Sequence, residues 1–117
     1  MSFVRKNSEA TVDLRNMFGA PGTANCRRIL NDAGEMGGHG RLFNHVTLEV
    51  GGGIGWHIHH GDGECYYVLR GKGEYSDNGR IVPVETGDVT WVGDGEGHSL
   101  MNTGDEPMEL IALILYA

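Results

Sequence analysis

From about Asn25 onward the chain reads as short apolar or alternating runs, broken at intervals of roughly 8 to 12 residues by Gly, Asp and Asn. That rhythm predicts an all-β barrel or sandwich. CRRIL opens the series. GRLFNHVTLEV follows, with Val46, Leu48 and Val50 on one face and His45, Thr47 and Glu49 on the other. WHIH and ECYYVLRG are separated by His60-Gly61-Asp62-Gly63, whose glycines permit the positive φ of a tight reversal, and the pair predicts a hairpin. Asp77-Asn78-Gly79, between Glu74-Tyr75-Ser76 and Arg80-Ile81-Val82, predicts a second one, because Asn-Gly suits a two-residue β-turn. DVTWV, HSLMN and MELIALILY complete the set. The last lacks clean alternation, which predicts burial on both faces or cover by another subunit. Within residues 1–24, TVDLRNMF reads equally as a strand or one helical turn, and Ala20-Pro21-Gly22 as a turn.

Composition agrees with this picture. The 117 residues include 20 glycines and 3 prolines, which favours turns over long helices, and the length suits one domain. A formal charge of −7 repels phosphate backbones and anionic bilayers, so nucleic acid and membrane surfaces are poor partners. Cys26 and Cys65 are too few for a disulfide scaffold. The N-terminal MSFVRKNSEATVD has no apolar run of signal-peptide length, and LIALILYA falls short of the roughly 18 residues needed to span a bilayer. A soluble, cytoplasmic protein is expected.

The histidines change the reading from fold to chemistry. Three of the six fall in Trp56-His57-Ile58-His59-His60. On a strand His57 and His59 project together, with Ile58 on the other side, a spacing suited to chelation by two imidazoles. A hairpin closing at Glu64 would return a carboxylate beside them, and His98, opening a strand after Gly93-Asp94-Gly95-Glu96-Gly97, is the best fourth candidate. Taken alone, His-x-His is equally compatible with a solvated strand; the joint pattern is what favours a metal.

Two spacings carry a family resemblance. G-x5-H-x-H-x4-E-x6-G fits Gly51, His57, His59, Glu64 and Gly71, and resembles the first cupin motif. G-x5-P-x-G-x2-H-x3-N fits Gly87, Gly95, His98 and Asn102, and resembles the second, with Gly93 where the family has proline. Losing that proline frees the loop before His98. The resemblance covers about residues 40–117, with a minimal linker from Lys72 to Thr86. It implies a double-stranded β-helix, or jelly-roll barrel, over residues 25–117, with one metal per chain on His57, His59, Glu64 and His98. It also implies a homodimer, with residues 1–24 as an arm pairing with a partner subunit.

Nitrogen and oxygen donors without thiolate favour Mn, Fe, Ni, Co, Cu or Zn over calcium or magnesium, and a divalent ion with one carboxylate keeps a net charge of +1. A small anionic or oxygenated metabolite suits such a site. Among further candidates, Tyr66 shares parity with Glu64 and could point inward as a proton donor, as could Tyr116, although barrel packing is the commoner role. One of Asn44 and His45 is expected to face the pocket, and His45 is, with Tyr66, a candidate catalytic residue. Asn102 could hold a ligand-bound water or cap the turn after it, with the cap favoured. Arg27, Arg28 and Arg41 could meet a carboxylate at the rim or be solvated surface charges. Trp56 and Trp91 are expected in core or interface, and Cys65 as a buried small hydrophobe facing away from the metal. The reading is a metal-dependent enzyme of the oxygenase, decarboxylase or isomerase class. The alternative is a small-ligand binding or sensor module using the same pocket.

Overall fold

A computed structural model describes all 117 residues. After a 3-10 turn at Asn7–Glu9 come ten strands: β1 (Val12–Arg15), β2 (Ala24–Leu30), β3 (Gly40–Leu48), β4 (Gly53–Ile58), β5 (Asp62–Arg70), β6 (Lys72–Asp77), β7 (Arg80–Glu85), β8 (Val89–Val92), β9 (Gly97–Asn102) and β10 (Met108–Tyr116). They form a six-stranded sheet in the order β1-β2-β3-β10-β5-β8 and a four-stranded sheet in the order β4-β9-β6-β7.

The pairings β3 with β10, β4 with β9, β5 with β8 and β6 with β7 are all antiparallel. They amount to one long hairpin whose tip is Asp77-Asn78-Gly79 and whose two arms coil together, passing from sheet to sheet. This is the double-stranded β-helix, or jelly roll. At the tip Asn78 and Gly79 have φ of 52° and 98°, the paired positive values that an Asn-Gly hairpin turn requires.

The hairpin expected between WHIH and ECYYVLRG does not form. β4 belongs to the small sheet and β5 to the large one, so His59–Gly61 is a corner between sheets rather than a turn within one. Gly61, at φ 79°, makes that corner possible. β3 ends at Leu48, leaving Val50 exposed in the following turn.

β10 is not buried on both faces within its own chain. Met108, Leu110, Ala112 and Ile114 are buried against the small sheet, whereas Ile111 and Leu113 on the other face are only half covered. The strand lies between β3 and β5, and its lack of alternation reflects apolar residues on an outer face that nothing in the chain covers.

Cys26, Val46, Leu48, Ile54, Tyr66, Val68, Leu100, Met108 and Leu110 form the centre of the core, all essentially without solvent contact. Each such side chain contributes about 1.5–3 kcal/mol through burial. Trp56 and Trp91 are half exposed rather than core: each lies across a neighbouring strand's glycine, Trp56 over Gly97 and Trp91 over Gly63. No helix is long and apolar enough to cross a membrane.

Residues 1–24 lie along their own chain. β1 pairs with β2 at the edge of the large sheet, and Met17 bridges to Ile54 of the small sheet, so the arm crosses the open end of the barrel.

Candidate metal centre

Three elements bring the four candidate ligands together. The β4–β9 register shifts between Ile54 and His57, and this irregularity turns both Ile54 and His57 inward although they are three residues apart. His57 then lies directly across from His98 of β9. His59 follows at the corner, and Glu64 enters on the inward face of β5 together with Tyr66 and Val68. His59, Glu64 and His98 are buried and His57 nearly so.

Glu64 Oε1 lies 3.4 Å from His57 Nε2, 3.1 Å from His59 Nε2 and 3.0 Å from His98 Nε2. His98 Nε2 is 3.0 Å from His57 Nε2 and 3.2 Å from His59 Nε2. All four ligand atoms fall within 4.8 Å of one another. Two ligands at right angles on a metal with bonds of about 2.1 Å stand about 3.0 Å apart, so the spacing fits a shared ion.

The outer nitrogens explain the orientation. His57 Nδ1 donates to the Gly55 carbonyl at 2.8 Å and His59 Nδ1 to Asp62 Oδ1 at 2.6 Å. Both partners accept only, so the protons sit on Nδ1 and the Nε2 lone pairs face inward. His98 Nδ1 meets the Tyr75 hydroxyl at 2.8 Å. Lone pairs facing one another and a carboxylate at 3 Å repel unless a cation or a proton lies among them, and this donor chemistry fits a transition-metal ion.

Electrostatics agree. Burial alone would raise the Glu64 carboxyl, but without an ion the imidazoles of His57, His59 and His98 hold it below the usual carboxylate range when they carry a proton on Nε2 and donate it to Oε1. His59 is raised above its ordinary 6.5, mainly by its bond to Glu64, with burial opposing and Asp62 assisting. His98 is lowered by burial, which outweighs the pull of Glu64. Burial would raise Asp62, yet Arg41 and His59 keep it low; Arg41 Nε binds Asp62 Oδ2 at 2.8 Å, so a chain runs Arg41–Asp62–His59.

The loop leading to His98 is held without proline. The Gly93 N–H, which proline would lack, donates to Glu96 Oε1 at 2.7 Å, and Asn78 Nδ2 donates to Glu96 Oε2 at 3.1 Å. The ligand corners also bind each other, Gly95 N–H to His59 carbonyl at 2.7 Å and His59 N–H to Glu96 carbonyl at 2.9 Å. The loop that the sequence leaves free is therefore fastened by Glu96.

Above the cluster lies a cavity of about 90 Å³, walled mainly by apolar residues such as Leu42, Val46, Ile54 and Ile114. Asn44, Tyr66 and Arg41 line it as well. Tyr66 stacks on His98 with ring centroids 4.8 Å apart, and burial followed by the Glu64 charge raises its phenol well above the ordinary value.

Other sequence candidates lie elsewhere. His45 is on the opposite face of β3 from Asn44, its Nε2 3.0 Å from Glu109 Oε1, because neighbouring strand residues alternate. Asn102 Nδ2 donates to the carbonyls of Leu48, Glu49 and Glu106, and its Oδ1 accepts the Gly104 N–H: it ties loops together and does not line the cavity. Tyr116 is exposed at the end of β10. Arg28 is occupied by Asp13. Arg27 is across from His45 on the outer face. Cys65 faces away from the cluster but is only half buried, on the outer face beside Trp91.

Four contributors are absent from the sequence reading: Asp62, Tyr75, Arg15 and Phe18. Asp62 reads as a turn residue and Tyr75 as an ordinary strand residue. Phe18 stacks on His57, ring centroids 4.1 Å apart and 10° from parallel, and its backbone adopts φ 54°, unusual for a bulky residue. Gly55 N–H binds the Met17 carbonyl at 2.9 Å, and a Cβ at Gly55 would collide with the Phe18 carbonyl. Glycine at 55 is thus what admits the arm.

A family model, the cupin domain, matches residues 44–114. An oxalate-binding protein of Thermotoga maritima is 38% identical over 113 residues, spanning 96% of this chain and 93% of that protein. The crystal structure of a protein described as a predicted oxalate decarboxylase, also from Thermotoga maritima, superposes with a TM-score of 0.91 at 37% identity, covering 98% of this chain and 100% of that one. The polyketide cyclase RemF of Streptomyces resistomycificus shares the fold at a TM-score of 0.74 and 17% identity, covering 100% of this chain and 86% of its own. Motif spacing, coiled topology and these matches lead to one conclusion: the chain belongs to the cupin family.

Proposed function

We propose that the protein binds a small anionic acid of the oxalate class through a divalent transition metal held by His57, His59, Glu64 and His98. The observation that carries the reading is the convergence of three outward-anchored imidazoles and one carboxylate beneath a cavity of about 90 Å³. That space is smaller than the ~150 Å³ apolar cavity that accepts benzene, which limits a ligand to a few heavy atoms. The name of the 38% identical relative supports the ligand class. When bound, the metal supplies a positive centre that attracts carboxylate oxygens. The apolar walls exclude water, and Asn44 offers an amide to an oxygen of the acid.

Turnover by the same pocket, as a decarboxylase, oxygenase or isomerase, is the second reading, and Tyr66 favours it. Its phenol stays protonated at the cavity wall against His98, where it can donate a hydrogen bond to a ligand oxygen and gives up the proton only to a strongly basic reacting atom. His45, also a catalytic candidate from the sequence, is on the outer face beside Glu109 and has no part in it. Calorimetry with oxalate on protein loaded in turn with Mn, Fe, Co, Ni, Cu or Zn tests binding, and release of carbon dioxide or formate tests turnover. Saturable binding of about one oxalate per metal is expected; no binding with any metal would reject the proposal.

The homodimer is proposed on the outer face of the large sheet. There Phe43, Leu113, Cys65 and Trp91 form one row across β3, β10, β5 and β8, with Ile111, Tyr67 and Val89 as the next. A second copy presenting the same rows would bury both. A sedimentation mass of one chain in dilute buffer would contradict it.

A further inference from the structure

Five of the seven arginines are matched with a carboxylate: Arg5 with Glu35, Arg28 with Asp13, Arg41 with Asp62, Arg70 with Glu106 and Arg80 with Asp77. Arg15 and Arg27 are not. Arg27 stands across from His45 on the outer face. Arg15 ends β1 directly across from the buried Ala24, so its side chain leaves the strand toward the barrel interior, and it lines the cavity above the metal centre. Its near neighbour on that face, Asp13, is taken by both Nε and Nη2 of Arg28, at 2.8 and 3.3 Å. In a chain of net charge −7, an arginine with no acidic partner at the mouth of an apolar pocket is a notable exception.

We infer that Arg15, delivered by the N-terminal arm, is the residue that selects a dianion over a monoanion of the same size, by binding the ligand's metal-distal oxygens. This rests on the proposed metal-held acid. Charge counting supports it: a divalent ion with Glu64 leaves +1, Arg41 and Asp62 cancel, and Arg15 brings the pocket to +2, the complement of a dicarboxylate. A guanidinium binds a carboxylate through two parallel N–H donors, and such charged hydrogen bonds are the strong ones.

The test compares wild type, Arg15→Gln, Arg15→Lys and Arg27→Gln, each loaded with manganese and assayed for metal content, then titrated with oxalate and with glycolate. Arg15→Gln is expected to keep its metal and lose roughly ten- to a hundredfold in oxalate affinity, with a much smaller loss for glycolate. Arg15→Lys should fall in between, since an ammonium keeps the charge without the fork, and Arg27→Gln should match wild type. If Arg15→Gln binds oxalate like wild type, or loses its metal, the inference is overturned while the metal-held acid stands. If metal-loaded wild type binds no oxalate, both fall.

Discussion

The floor and the rim of the pocket are built on opposite rules. At the floor His57, His59, Glu64 and His98 are buried or nearly so, come from strands or corners of both sheets, and have each outer nitrogen anchored by Gly55, Asp62 or Tyr75. At the rim, Arg15 and Phe18 come from an arm that crosses the barrel's open end, are exposed, and make few polar contacts. The floor is specified before anything binds, as a cation site must be if its ligands are to give up little freedom. The rim is left open, as the proposed contact of Arg15 with a ligand would require.

The sharpest break in that contrast comes from the floor. His98→Gln removes an imidazole that touches all three other ligands, and metal affinity should fall by more than a hundredfold, since losing an anchoring partner alone costs about 10–100-fold. Equilibrium dialysis against a competing chelator measures it. Asp62→Asn comes next: it leaves every ligand in place but takes the carboxylate from His59 Nδ1 and from Arg41, and a loss of about 10–100-fold is expected by the same assay.

Acidity sharpens the comparison further. His59 is raised above 6.5 in the metal-free protein, so its proton is held from above that pH downward and must leave when the ion enters. Metal occupancy should therefore decline already as pH falls through neutrality, and calorimetric heats should depend on the buffer's ionisation enthalpy. Heats independent of buffer would contradict this. The smallest effect belongs to the rim: Phe18→Ala removes the ring stacked on His57 but no polar partner, and metal affinity should change by less than about tenfold in dialysis.

The same contrast explains what could be read from the chain. His57 and His59 were legible from two strand positions and the hairpin at Asn78-Gly79 from a turn that needs positive φ, whereas Glu64 and His98 were carried by the joint pattern and the two motif spacings. The β4–β5 corner passed for a hairpin because glycines between two extended runs suit either, and sheet membership is decided by distant partners, β9 and β8. The facing of Asn44 and His45 waited on where β3 ends, at Leu48. Arg15, Phe18, Asp62 and Tyr75 were hidden for one reason. Their roles arise from contacts whose meaning depends on the folded site, such as Phe18 with His57 and Tyr75 with His98. Nothing in local spacing announces them. The outer face of β10 left two readings open, burial or cover by a second copy, because an apolar residue exposed at a sheet surface reads like one in a core.

Elemental analysis by mass spectrometry, on protein purified without chelators or a histidine tag and then incubated with a transition-metal mixture, tests the central claim most directly. The account predicts close to one ion per chain in wild type and a loss of that ion in Glu64→Gln. A folded wild-type barrel that retains no ion, or a Glu64→Gln variant that retains it fully, would contradict a metal centre at His57, His59, Glu64 and His98.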